Sequence, residues 1–257
     1  MNEHIDMKIS GSSTMPGGEY GSVSISGAGK VNGSLKCEEL HCSGAAKVQG
    51  DVDCAGELHT SGAGKIAGSV RCGSLSASGD FSAQSVQVEG LASVSGSLRT
   101  ERALTADELS ASGSLEAGSV HCRAFRASGA CRRVSGDIEA ETAALSGAVQ
   151  IGGLLNAETV EISANPAVRI HAIGGGTIRV LQKDMTTFLG IFRTSPGRAR
   201  IGSIEGDDIE LENVEAEIVR GKYVRIGHGC RIGTVEYGEN LEAEPGTVSR
   251  STQTGAK

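Results

Sequence analysis

The chain has 257 residues, 31 of them acidic and 24 basic, and a net charge of -7. An acidic balance argues against a nucleic-acid role, which needs a basic face, and no stretch approaches the 18 or so apolar residues of a membrane span. The polar, acidic stretch from Met1 to Met7 lacks the pattern of a secretory signal, so a cytoplasmic protein is expected.

In chain order, the first elements are marked by Ser-Gly pairs beginning at Ser10, Ser26, Ser43, Ser61, Ser78, Ser95, Ser112, Ser128 and Ser146. The steps between them are 16, 17, 18, 17, 17, 17, 16 and 18 residues, and Ser163-Ala164 continues the series at 17. A fixed period identifies stacked repeats. Three residues and one residue before each serine stand mostly apolar pairs: Met7/Ile9, Val23/Ile25, Leu40/Cys42, Leu58/Thr60, Leu75/Ala77 and onward to Val160/Ile162. The residue between them is usually polar, as at Lys8, Ser24, His41, His59 and Arg126. This in-out-in alternation is that of a short strand with one buried face.

A period of 17 or 18 residues is too short for a helix pair and suits one coil of a β-solenoid. The other two strands of a coil show in Val31, Val48 and Ile66, in Leu35, Val52 and Val70, and in Cys37, Cys54 and Cys72. Equivalent residues of successive coils should stack about 4.8 Å apart, each column forming an apolar rib inside a narrow tube. The Ser-Gly pair is then a corner, glycine being expected there for its conformational freedom and serine for its hydrogen bonds. Gly33, Gly50 and Gly68 make a second corner. The absence of tryptophan, with only four phenylalanines and three tyrosines, fits a tube too thin for large rings.

Ile178 and Val180 complete an eleventh row. The expected organisation is a flexible tail at 1–6, a β-helix at 7–180, an insertion or amphipathic segment at 181–200, about two further coils at 201–237 and a flexible tail at 238–257. In the 181–200 segment, Phe188, Leu189, Ile191 and Phe192 lie beside Arg193 and other basic residues. Such a knot either caps an open end of the tube or touches a partner or an anionic membrane surface.

The seven cysteines contain no Cys-x-x-Cys spacing. Cys37, Cys54 and Cys72 share one inward column, which points to core filling rather than to metal or disulfides. His41 and His59 fall on outward positions of adjacent coils, as a solvated pair. No catalytic motif, metal site or cofactor site is expected. Val224-Arg-Ile-Gly-His-Gly-Cys-Arg-Ile-Gly resembles two units of the hexapeptide-repeat acyltransferases, with His228 in the place of a general base; that enzyme is one alternative. A monomeric solenoid that docks protein partners on its flank is the other.

The coil cores Val31-Asn-Gly-Ser-Leu35 and Val48-Gln-Gly-Asp-Val52 resemble those of the bactofilins, a polymer-forming bacterial cytoskeletal family. So does the closing segment Ile204-Glu-Gly-Asp-Asp-Ile-Glu-Leu-Glu, Ile218-Val-Arg-Gly and Ile226-Gly-His-Gly-Cys-Arg-Ile-Gly-Thr-Val-Glu-Tyr237, which is similar to members from Gram-positive spore-formers. The resemblance implies an all-β, right-handed β-helix that polymerises end to end without nucleotide, as a non-enzymatic scaffold for cell shape, motility or envelope machinery. It also implies a paralogous bactofilin and envelope or motility proteins as partners, at the inner face of the membrane. The array here is longer than in many members, and the short apolar N-terminal tag of some members is missing. Tyr20, Val23 and Ile25 at one end and Ile232, Val235 and Tyr237 at the other are the expected polymer contacts, inferred from their position.

Overall fold

The computed structural model describes residues 5–182 and 197–254. The chain divides into two compact units, Met1–Ala124 and Phe125–Lys257. Each is an all-β solenoid in which every strand pairs in parallel with the equivalent strand one coil away.

In the first unit the main column runs Met7, Val23, Leu40, Leu58, Leu75, Ala92 and Leu109 in unbroken register. From Val23 to Leu109 these side chains are at most 4% exposed. The second column, Met15–Val31–Val48–Ile66, and the third, Leu35–Val52–Val70, complete the interior. The repeat read from the sequence is therefore the repeat of the structure. Hydroxyls and thiols buried at the ends of the first and second strands of a coil are satisfied by the adjoining corner. Cys42 Sγ donates to the Gly44 carbonyl at 3.4 Å, Thr60 Oγ1 to Gly62 at 3.5 Å, and Thr100 Oγ1 to Arg102 at 3.2 Å. Buried polar groups are normally paired in this way.

The Ser-Gly corners are where expected, but the reason for glycine differs. Gly27, Gly44, Gly62, Gly79, Gly96 and Gly113 are not among the glycines with positive φ. Instead, each corner presses on the one before. A Cβ on Gly44 would lie 2.1 Å from the Gly27 carbonyl oxygen, and one on Gly62 or Gly79 2.0 Å from the corresponding oxygen of the preceding coil. Hydrogen bonding pulls the corners this close. The Ile25 carbonyl accepts from the N–H groups of both Ser43 (2.9 Å) and Gly44 (3.1 Å), and the Cys42 carbonyl from both Ser61 (2.9 Å) and Gly62 (3.2 Å). The second corner carries its own polar ladder: Ser34 Oγ accepts from the Asp51 N–H at 3.1 Å, and Asp51 Oδ1 from the Ser69 N–H at 2.7 Å.

In the second unit the main column is Ala143, Val160, Ile178, Ile209, Val224 and Leu241. The step from Ile178 to Ile209 takes 31 residues without loss of register, which locates an insertion inside one coil. Phe188, Leu189, Ile191, Phe192 and Arg193 fall in it and lie outside the described residues.

Both expected tails need correction. Strands continue through Arg231–Ala243 and Val248–Gln253, so three rungs and part of a fourth follow the insertion, where about two coils were expected. Residues 238–253 have few apolar side chains, because the last rung has a neighbour to pack on only one side. Their backbone ladder holds them, as in Ile232↔Val248 and Tyr237↔Gln253. At the other terminus, Ile5 and Asp6 are tied to the next coil. The Gly21 N–H donates to the Ile5 carbonyl at 3.1 Å, and the Ser22 N–H to Asp6 Oδ1 at 2.8 Å.

Candidate functional site: end rungs and charged flanks

A solenoid's distinctive surfaces are its terminal rungs, where strands have a free edge. In the first unit the outermost rung is formed by Met7–Ile9 and Ser12–Glu19. Ile5 is 78% exposed and Met7 half-buried. Gly11 belongs to the same corner column as Gly27 and Gly44, yet a Cβ on it would meet nothing within 4 Å. In the second unit the outermost rung is Leu241–Ala243 and Val248–Gln253. Leu241 and Val248 are half-buried, whereas Val224 and Ile232 beneath them are at most 2% exposed.

The residues expected to make polymer contacts lie one layer deeper. Val23, Ile25, Ile232 and Val235 are at most 1% exposed, each covered by the next rung. They support the ends from within and do not form an outer face. Tyr20 is half-buried, its hydroxyl donating to the Pro16 carbonyl at 3.2 Å, and Tyr237 is half-buried beneath Gln253. Sequence reasoning missed Leu241 and Val248 as end residues because it stopped counting rungs at Tyr237, and at the N-terminal end it put the contacts one rung inward of the Met7/Ile9 row that it had already counted. The continuing 17-residue step from Val224 to Leu241 was the available signal.

The flanks carry ladders of alternating charge. Arg179 is 3.7 Å from Glu210, Glu210 3.4 Å from Arg225, and Arg225 3.5 Å from Glu242. Asp207 pairs with Lys222 at 2.8 Å. Exposed pairs of this kind contribute little individually. His41 and His59 do stack outward on adjacent coils, ring centroids 6.1 Å apart, beside Glu39 and Glu57. His228 is exposed in a turn, its Nδ1 3.7 Å from Glu212. Among the described residues no cluster of three or more His, Cys, Asp or Glu is placed to hold a metal.

Cys37, Cys54 and Cys72 form the inward column read from the sequence and are free and buried. Burial pushes the Cys72 thiol up to about 12 from 9.0, and Cys37 is raised chiefly by its hydrogen bond to Cys54. A thiol raised in the folded state holds its proton more tightly there than in the unfolded chain. Its stabilising effect is complete below pH 9 and is lost as pH rises from 9 toward 12. The expected result is a melting temperature that is level near pH 7–8 and falls above pH 9, with no reaction of Cys72 with a thiol reagent at pH 8 until the chain unfolds. Mass spectrometry of alkylated protein together with a pH series of melts checks both.

Residues 2–83 match the family model of the bactofilins, described as polymer-forming cytoskeletal. Among curated proteins, YhbF of Bacillus subtilis (strain 168), an uncharacterized protein, is 39% identical over 94 residues, covering 36% of this chain and 38% of YhbF. The uncharacterized YhbE of the same strain is 39% identical over 111 residues, covering 42% of this chain and 44% of YhbE. The matched part of the chain thus spans about two fifths of the length of these relatives. No solved structure matches the chain.

Proposed function

We propose that this chain, which carries a bactofilin segment at residues 2–83, is a non-enzymatic cytoskeletal scaffold that assembles end to end without nucleotide. The observation that carries this reading is the state of the two terminal rungs. Each presents an apolar column that continues the interior and has no further coil on it among the described residues: half-buried Met7 in the first unit, half-buried Leu241 and Val248 in the second. A second copy of the chain has the strand spacing and apolar ribs to continue either column, and open heterologous contacts of this kind build filaments. The family description supports assembly, and the resemblance supports envelope or motility machinery as the cargo, at the inner face of the membrane.

Light scattering on the purified chain separates this from a monomeric adaptor. The scaffold predicts a mass that rises with protein concentration in nucleotide-free buffer and is unaffected by added ATP or GTP. A constant monomer mass would favour the adaptor.

A further inference from the structure

We propose that a groove along the second unit, lined by Arg133, Arg169, Arg200 and Arg231, binds a linear chain of phosphate groups. The register Gln150↔Arg169↔Arg200↔Glu215↔Arg231 sets these side chains on one outward column, and Arg133 lines the same groove, whose volume is about 820 Å³. Its other wall is kept low by Gly152, Gly202 and Gly233. A Cβ at any of them would lie 2.5 to 2.6 Å from a carbonyl oxygen of the preceding coil, so the stacking of the coils itself holds the groove open.

The charge pattern of this column differs from that of the Arg179–Glu242 flank, and like-charge neighbours recur, as lysines, in the Lys30–Lys47–Lys65 column of the first unit. The flank at Arg179, Glu210, Arg225 and Glu242 alternates in sign at every rung. In the groove Arg169 and Arg200 are direct cross-strand neighbours of like charge, an arrangement that is destabilising by itself. Glu215 lies 3.8 Å from Arg200, and neither Arg169 nor Arg231 has an ion pair among the described residues. An anionic chain lying in the groove relieves that repulsion.

Guanidinium groups present a planar fork that matches phosphate oxygens; Arg169 and Arg200 offer two on adjacent rungs about 4.8 Å apart, with Gln150 and Glu215 on the rungs to either side and Glu217 also on the groove wall. A flat bilayer fits a concave groove poorly, whereas an extended chain lies along it. No Phe, Tyr or Trp lines it, and His171 is its one aromatic ring, so it lacks the row of large rings on which successive bases stack. The groove therefore reads phosphates and not bases.

The test is fluorescence anisotropy of labelled inorganic polyphosphate with the full chain. Four phosphate contacts predict binding that weakens roughly 50-fold between about 50 and 200 mM salt, and Arg169→Gln/Arg200→Gln should reduce that to roughly sevenfold. Arg231→Gln gives a smaller step in the same direction, and circular dichroism verifies each fold. Lys30→Gln/Lys47→Gln, an equal loss of charge in the first unit, should leave binding unchanged. Single-stranded DNA should compete regardless of base composition, and polyglutamate should compete poorly. Absence of binding at 50 mM salt, equal effects of the Arg and Lys pairs, equal competition by polyglutamate, or a base preference would overturn the proposal.

Discussion

Gly79→Ala is expected to lower the melting temperature by roughly 5–10 °C, while Gly11→Ala leaves it unchanged. Both residues occupy the same corner of the repeat. At Gly79 the added methyl would lie 2.0 Å from the Gly62 carbonyl oxygen and 2.6 Å from that of Ser61, all of it backbone held in the corner ladder. The Thr60 carbonyl binds the N–H groups of Ser78 at 2.8 Å and Gly79 at 3.1 Å, so the corner cannot back away without breaking these bonds. Overpacking of this sort costs about 1–3 kcal/mol, and strained stacking interrupts the nearest-neighbour contacts on which a solenoid depends. At Gly11 the same methyl meets no atom within 4 Å. Paired thermal melts of the two variants decide the matter; equal destabilisation would refute the close-approach explanation of the repeat.

The second large effect concerns assembly. Gly11→Ala should keep the fold and still reduce polymer mass about tenfold or more, because a copy stacked on the first rung brings its own backbone where Gly27 finds Gly11, 2.2 Å from the added Cβ position. An overpacking cost of about 1.4 kcal/mol at each junction corresponds to that tenfold change. Val248→Asp should act likewise at the other terminus. Its side chain lies over Ile232 but is only half-buried, so the charge is placed chiefly against the incoming copy. Sedimentation of wild type and variants at equal concentration checks both. Normal pelleting of both variants would remove the terminal rungs from the contact.

Much of this was legible in the sequence because a parallel solenoid converts period into contact. Val31, Val48 and Ile66 stand one coil apart in the chain and are neighbours in space, so counting residues locates the partner strand. The same logic put Cys37, Cys54 and Cys72 indoors and His41 and His59 outdoors. What counting misses is local geometry. Glycine's absence of a Cβ serves close approach at Gly44 and Gly62, but a positive φ of 111° at Gly33, and the letter G does not distinguish these. The last rungs were missed because a terminal coil buries only one side of its apolar column, leaving Leu241 and Val248 among polar neighbours. The phosphate groove was hidden because Arg169 and Arg200 are 31 residues apart and become neighbours only through the insertion. The acidic total of the chain masks a local basic column.

The central claim is that the end rungs join copies of the chain without a nucleotide. Electron microscopy of the purified chain in nucleotide-free buffer, over a range of concentration and salt, tests it most directly. The account predicts thin unbranched filaments that are lost in Gly11→Ala; monodisperse single particles under every condition would contradict it.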